Sequence, residues 1–293
     1  MAPRTRFAIL DCEDADKWDG HAIAISRLFS RAGERWEHFR CFSGELPELA
    51  SLSSYAGLVV TGSHHGVNDG RGWIDALRSF LAEACDPSRG VRVLGVCFGC
   101  QILAQALGGA AGKNPRGDGG FTLKRERVTC HRAMLERDDY QSAAASFPSS
   151  SADSDSVIMT VFESHGDAVT SLPPSATTLA TSATAPHEIW SRGDNVLAWQ
   201  GHPELSADAI VAKIVPHVSS LSERQRDAAV EDFETDDVDG DVARDAMRLI
   251  AMGRAFLRGG KCEGDDADVV AAHKYACDER FARCGGGGGG GGG

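Results

Sequence analysis

The sequence predicts an α/β protein with a mostly parallel central sheet flanked by helices. Three observations predict it: short β-rich apolar runs, amphipathic stretches at helical period between them, and glycine-punctuated junctions after two of the runs. The runs are residues 6–10, 36–42, 57–61 and 92–96, and helical patterns fill 21–32 and 73–85. In parallel sheets of this kind ligands bind outside the carboxyl ends of the strands. The residues after Thr61 and Val96 are therefore where chemistry is expected.

Beyond residue 119 the helical period fades, and runs at 121–128, 157–162 and 196–200 read as antiparallel or edge strands. Residues 141–156 are mostly Ser, Ala and Asp with one Pro, the composition of a mobile loop. Ser206 is placed to cap a helix running through Ala209, Ile210, Ile214 and Val215. Residues 221–245 hold ten acids against three bases, which predicts a solvated acidic turn. It leads into a packing helix that presents Val242, Met247, Leu249, Ile250, Phe256 and Leu257. A calcium loop around Asp236–Gly240 fails on spacing, because setting Gly240 at loop position 6 puts Thr235 at position 1 and Ala246 at position 12. One domain is expected over residues 1–258, then a disordered tail, 259–293, that ends in polyglycine.

With 293 residues and 42% hydrophobic content the chain can bury a sizeable core. A formal net charge of -12 argues against nucleic acid or an anionic membrane as partner and leaves small molecules or proteins. No apolar run approaches the roughly 18 residues of a membrane span, and no secretory stretch follows Met1-Ala2-Pro3-Arg4. The expected location is therefore the cytosol, and the nine cysteines, odd in number and irregularly spaced, read as mostly reduced thiols.

The sharpest signal is the run from Val93 to Ala104: an apolar strand, a Gly95-Val96-Cys97-Phe98-Gly99 turn, then a helical pattern. This is a nucleophile elbow, in which flanking glycines allow a sharp bend that lifts Cys97 above the sheet edge. At a helix N-terminus the positive dipole end favours its thiolate. Downstream, Gln200-Gly201-His202-Pro203-Glu204 supplies a base and its orienter: positions two apart on an extended segment share a face, so Glu204 can fix the His202 tautomer. His165 is a rival base without a carboxylate at that offset. The adjacent pair His64 and His65 invites a metal reading, but neighbours on an extended chain point to opposite faces. They are expected to rim a pocket or face solvent, and no metal site is expected.

Taken together these residues resemble the class I (triad) glutamine amidotransferase-like family over about residues 6–258. Further carriers of the likeness are Val59-Val60-Thr61-Gly62-Ser63, where the family has its oxyanion-strand glycines, and Glu163-Ser164-His165-Gly166-Asp167. The likeness is nearest to plant-type γ-glutamyl peptidases, through Thr61-Gly62-Ser63, Val67, Asp69, the Cys97-Phe98-Gly99 elbow with Gln101, and Trp199 to Glu204. The resemblance implies a flavodoxin-like three-layer fold and cysteine-dependent hydrolysis of γ-glutamyl amides through a thioester on Cys97. It implies Cys97, His202 and Glu204 as catalytic residues. The oxyanion hole is implied at the amides of Phe98 and of Gly62 or Ser63, and Gln101, Ser164 and His165 are implied as substrate-binding. Ser63 stands where many family members have a second glycine. No cofactor is implied, and the expected partner is a small γ-glutamyl molecule. Two alternatives stay open: a glutaminase subunit served by a separate synthetase chain, and a thiol-redox or pseudoenzyme protein built on Cys97-Phe98-Gly99-Cys100, whose two thiols would join as a disulfide.

Overall fold

A computed structural model describes residues 4–114, 120–149, 157–235, 241–260 and 266–277. Strands β1 (Arg6–Asp11), β2 (Arg35–Arg40), β3 (Gly57–Val60) and β4 (Arg92–Val96) alternate with helices α1 (His21–Phe29), α2 (Gly72–Ala84) and α3 (Phe98–Ala106). Strand β5 (Ala110–Lys113) follows, then β6 (Thr122–Cys130), α4 (Arg132–Leu135), α5 (Asp138–Ser146), β7 (Val157–His165) and β8 (Asp167–Ser171). Next come β9 (Ala176–Thr181), β10 (Ile189–Arg192) and β11 (Val196–Trp199), then α6 (Ala207–Lys213), α7 (Glu223–Glu234), α8 (Asp241–Arg258) and α9 (Asp266–Cys277).

Nine strands form one sheet in the order β2-β1-β3-β4-β11-β10-β9-β6-β7. The half from β2 to β11 is parallel throughout, and the half from β11 to β7 is antiparallel. The α/β class with helices on both faces is thus realised. Along β1, Phe7 and Ile9 enter one core cluster with α1 and α8, while Ala8 and Leu10 enter another with α2 and α3, as the two-residue period of a strand requires. Strand β11 is neither an edge nor wholly antiparallel. It pairs in parallel with β4 and antiparallel with β10, and all four of its residues are buried. Its Val-Leu-Ala-Trp run is apolar on both faces, which suits the middle of a sheet.

Three other expectations are corrected. The loop expected from residue 141 is helical as far as Ser146, because Tyr140 and Ala143 turn into the core; residues 150–156 lie outside the described residues. The acidic turn is largely α7, started by a reciprocal cap in which Ser222 Oγ accepts from the Gln225 amide and the Gln225 side chain from the Ser222 amide. Ala229 and Phe233 anchor it, and Asp236–Gly240 lies outside the described residues. The tail holds α9, which packs on α1 and α8: Val269 is fully buried, and Ala272 and Ala276 lie on the same stripe. The polyglycine end is outside the described residues. The acidic stretch does lead into the expected packing helix α8, whose apolar face is buried from Val242 to Leu257.

Candidate active site

Cys97 follows β4 and caps α3 with φ 50° and ψ -104°, a conformation that a residue with a Cβ rarely adopts. Close packing of α3 on β3 imposes it. A Cβ on Gly99 would lie 2.3 Å from Val60 O, and one on Gly95 would lie 2.6 Å from Gly99 O, so glycine on both sides of Cys97 is a packing requirement. The Cys97 amide donates to Trp199 O of β11 at 2.9 Å. The thiol then sits at the carboxyl edge of the sheet, 3.9 Å from Ser164 O and 3.4 Å from the Gln200 side-chain nitrogen that donates to it.

His202 follows β11, and its amide donates to Phe162 O at 2.8 Å. Its Nδ1 lies 2.7 Å from Glu204 Oε1. The expected contact is made, though across a turn in which the Leu205 amide donates to His202 O at 3.4 Å, not along an extended strand. A Cβ on Gly62 would meet His202 Cε1 at 3.5 Å and Cys97 Cβ at 3.7 Å, so the end of β3 closes the third side. Burial opposes a charged imidazole at His202, yet the negative charges of Glu204 and of a Cys97 thiolate raise its pKa well above the ordinary value. Burial likewise opposes charge on Glu204, and His202 more than offsets it, leaving that carboxyl below the usual range. A thiol, an imidazole and an orienting carboxylate so placed can transfer a proton between sulfur and a leaving amine.

The Thr61 hydroxyl accepts from the Cys12 amide at 3.0 Å and donates to Gly62 O at 3.0 Å. Peptide planarity then turns the Ser63 N–H the opposite way. Phe98 is the first residue of α3, where no helical carbonyl is available to its amide.

Behind the thiol lies a buried acid cluster. Burial pushes the Glu163 carboxyl up to about 8, and burial together with the charge of Glu163 pushes Glu188 well above the ordinary value. Glu188 Oε1 accepts from the Gly201 amide at 3.0 Å, which fixes the approach to His202. His165 Nε2 lies 3.2 Å from Glu163 Oε2 and its Nδ1 2.9 Å from Asp167 O, and burial lowers its pKa.

All nine residues singled out in the sequence (Gly62, Ser63, Cys97, Phe98, Gln101, Ser164, His165, His202, Glu204) line one cavity of about 650 Å³. Gln101 is committed internally: its amide nitrogen donates to Asp167 O at 2.8 Å and to Gln200 Oε1 at 3.0 Å, and so it holds the side chain that donates to Cys97. Cys100 is not paired with Cys97. It faces the opposite core cluster, its sulfur accepts from Trp190 Nε1 at 3.0 Å, and burial pushes its pKa well above the usual value. The disulfide of the thiol-redox alternative therefore lacks its geometry, because Cys97 and Cys100 leave the sharp elbow on different faces of the sheet.

Sequence reasoning assigned no site role to Lys113, Asp167 or His21, all on the cavity wall. Lys113 and Asp167 are partners only because β5 pairs with β8. Burial raises the Asp167 carboxyl and Lys113 acts against it. Among the described residues neither ring nitrogen of His21 has a hydrogen-bond partner, and burial lowers its pKa against the pull of Glu204. His64 and His65 do not point apart as expected. The chain bends at His64 and His65, the two ring centroids lie 3.8 Å apart, and both approach Asp14.

The fold agrees with the comparisons to known proteins. The family model for glutamine amidotransferase class-I matches residues 19–215, and the chain belongs to that family. It is similar to gamma-glutamyl peptidase 4 of Arabidopsis thaliana, 32% identical over 220 residues that cover 72% of this chain and 80% of that protein. It is also similar to a glutamine-hydrolyzing GMP synthase of Aromatoleum aromaticum, 26% identical over 226 residues that cover 74% of this chain and 37% of that protein. A solved glutamine amidotransferase from Thermotoga maritima shares the fold with a TM-score of 0.60 at 19% identity, covering 87% of this chain and 98% of that one. Among the described residues, no helix is long and apolar enough to cross a membrane.

Proposed function

We propose that the protein hydrolyses γ-glutamyl amide bonds, in γ-glutamyl peptides, glutathione conjugates or glutamine, through a thioester on Cys97. The observation that carries this reading is the convergence of Cys97 and His202 in one cavity, with His202 Nδ1 2.7 Å from Glu204 Oε1. The Cys97 sulfur attacks the γ-carbonyl carbon, a C–S bond forms, and the oxyanion is received by the amides of Phe98 and Ser63. Collapse breaks the C–N bond, and the proton carried by His202 goes to the leaving amine. Water then gives a proton to His202 and attacks the thioester; the C–S bond breaks, glutamate leaves, and the proton returns to sulfur. Lys113 and Asp167 carry the charges that suit the α-carboxylate and α-amino group of a glutamyl moiety. The side-chain carbonyl oxygen of Gln101 and the backbone at Ser164 and His165 complete that end. The seven described cysteines are all unpaired, which supports a reducing compartment such as the cytosol.

Amine or ammonia release from glutamine, glutathione and an S-substituted glutathione tests this, run beside Cys97→Ala and His202→Ala. Wild type is expected to cleave the peptides alone, and Cys97→Ala to lose about 10⁴-fold or more in rate. Cleavage that survives Cys97→Ala overturns the thioester. Cleavage of glutamine only, or only after cell extract is added, favours a partner-dependent amidotransferase, the arrangement suggested by the GMP synthase relative of which this chain spans 37%.

A further inference from the structure

We propose that Asp14, His64 and His65 form a binding site for a divalent transition-metal ion of the zinc class on the wall of the cavity. Their donor atoms all lie within 4.8 Å of one another. Asp14 Oδ1 is 2.9 Å from His65 Nε2 and 3.7 Å from His64 Nε2. These separations bracket the roughly 3.4 Å between ligands of a tetrahedral ion with nitrogen and oxygen bonds of about 2.0–2.1 Å.

The outer contacts are those of a metal site. Glu13 Oε1 lies 2.6 Å from His64 Nδ1 and also accepts from the Ala15 amide at 2.8 Å, while Glu13 Oε2 accepts from the His64 amide at 2.8 Å. The Glu13 side chain is 5% exposed, so it is a fixed buttress. It takes the Nδ1 proton of His64 and leaves the Nε2 lone pair for an ion, as carboxylates behind metal-bound histidines do. His65 is set by its amide donating to Ser63 Oγ at 3.1 Å and by a T-shaped contact with Trp73, ring centroids 5.6 Å apart. Its Nδ1 is 3.9 Å from Asp69 Oδ2.

Two imidazoles with one carboxylate suit Zn²⁺, Co²⁺ or Ni²⁺ and disfavour Mg²⁺ and Ca²⁺, which require more oxygen ligands. The remaining coordination position is left to water or to a ligand in the cavity, because His64 and His65 both line it. Asp14 and His64 are partly exposed, giving the ion an entry path.

Zinc titration of full-length Cys97→Ala protein against a chromophoric chelator tests the site, since that background removes the thiol as a competing ligand. One equivalent is expected to bind without competition from Mg²⁺, and His64→Ala and Asp14→Asn in that background are expected to weaken binding by at least about tenfold. Co²⁺ is expected to give the intense visible bands of a four- or five-coordinate ion, lost in His64→Ala. His64 is 45% exposed, so its removal leaves the core intact; matching melting temperatures of the metal-free variants check this. Unchanged affinity in His64→Ala and Asp14→Asn would place the ion elsewhere, for instance at the His273–Cys277 pair of α9, and overturn the site. A pale six-coordinate Co²⁺ spectrum would overturn it equally.

Discussion

Cys97 carries backbone strain of about 1–3 kcal/mol, and residues far from it in sequence pin it there. The Trp199 carbonyl holds its amide, Gln200 addresses its sulfur, and Gln101 holds Gln200. Glu204 acts on His202 in the same indirect way, by raising the imidazole pKa and fixing the tautomer. Replacing Glu204 with Gln keeps the shape and removes the charge, so the His202 pKa falls and the pH–rate limb assigned to it moves to lower pH. The expected loss in kcat is on the order of 10³- to 10⁴-fold with KM little changed. A pH profile identical to wild type would remove Glu204 from the proposed triad. Cys97, His202 and Glu204 were legible in the sequence because an elbow and an i,i+2 pair are local patterns. His21, Lys113 and the convergence of His64 and His65 on Asp14 were not, since they depend on a bend and on strand pairing that no short window encodes.

Helix α8 shows the same division at the scale of elements. Its apolar stripe was readable from period alone, yet the stripe says nothing of Arg248 and Arg254, which are almost fully buried within the helix. Arg248 pairs with Asp245 at 2.6 Å and donates to Phe147 O at 2.6 Å, while the second Asp245 oxygen accepts from the Thr160 amide at 2.8 Å. Helix α8 is thereby tied to the end of α5 and to β7. Arg248→Ala leaves the Asp245 charge buried without its cation and is expected to cost about 3–5 kcal/mol in a urea unfolding experiment. A loss under 1 kcal/mol would mean that water reaches Asp245. Helices α7 and α9 were missed for a composition reason: an acidic run and a small-residue run each hide two or three anchoring apolar side chains.

Across the whole molecule, the sheet changes character at β11, and the site lies where the parallel and antiparallel halves meet. The antiparallel half supplies Glu163 and, through β10, the buried Glu188 just before it. The folded Glu163 carboxyl titrates near 8, against an ordinary 4.5. Its contribution to stability is therefore complete below about 4.5 and is lost as pH rises towards about 8, because over that window only the unfolded chain releases the proton. Glu163→Gln has no proton to lose, so its melting temperature relative to wild type should climb steadily over that window. A difference independent of pH would show that Glu163 is ionised in the fold.

The sequence by itself determined the α/β class, the elbow, the His-Pro-Glu partner and the amphipathic face of α8. Each is written in spacings of two to four residues, the range over which strand and helix periods and tight turns act. Tertiary structure alone decided the place of β11 in the middle of the sheet, the separation of Cys100 from Cys97, the shared burial of Glu163 and Glu188, and the meeting of Asp14 with His64 and His65. Those depend on which strands pair and which faces are buried, and pairing energies are summed over contacts tens to hundreds of residues apart.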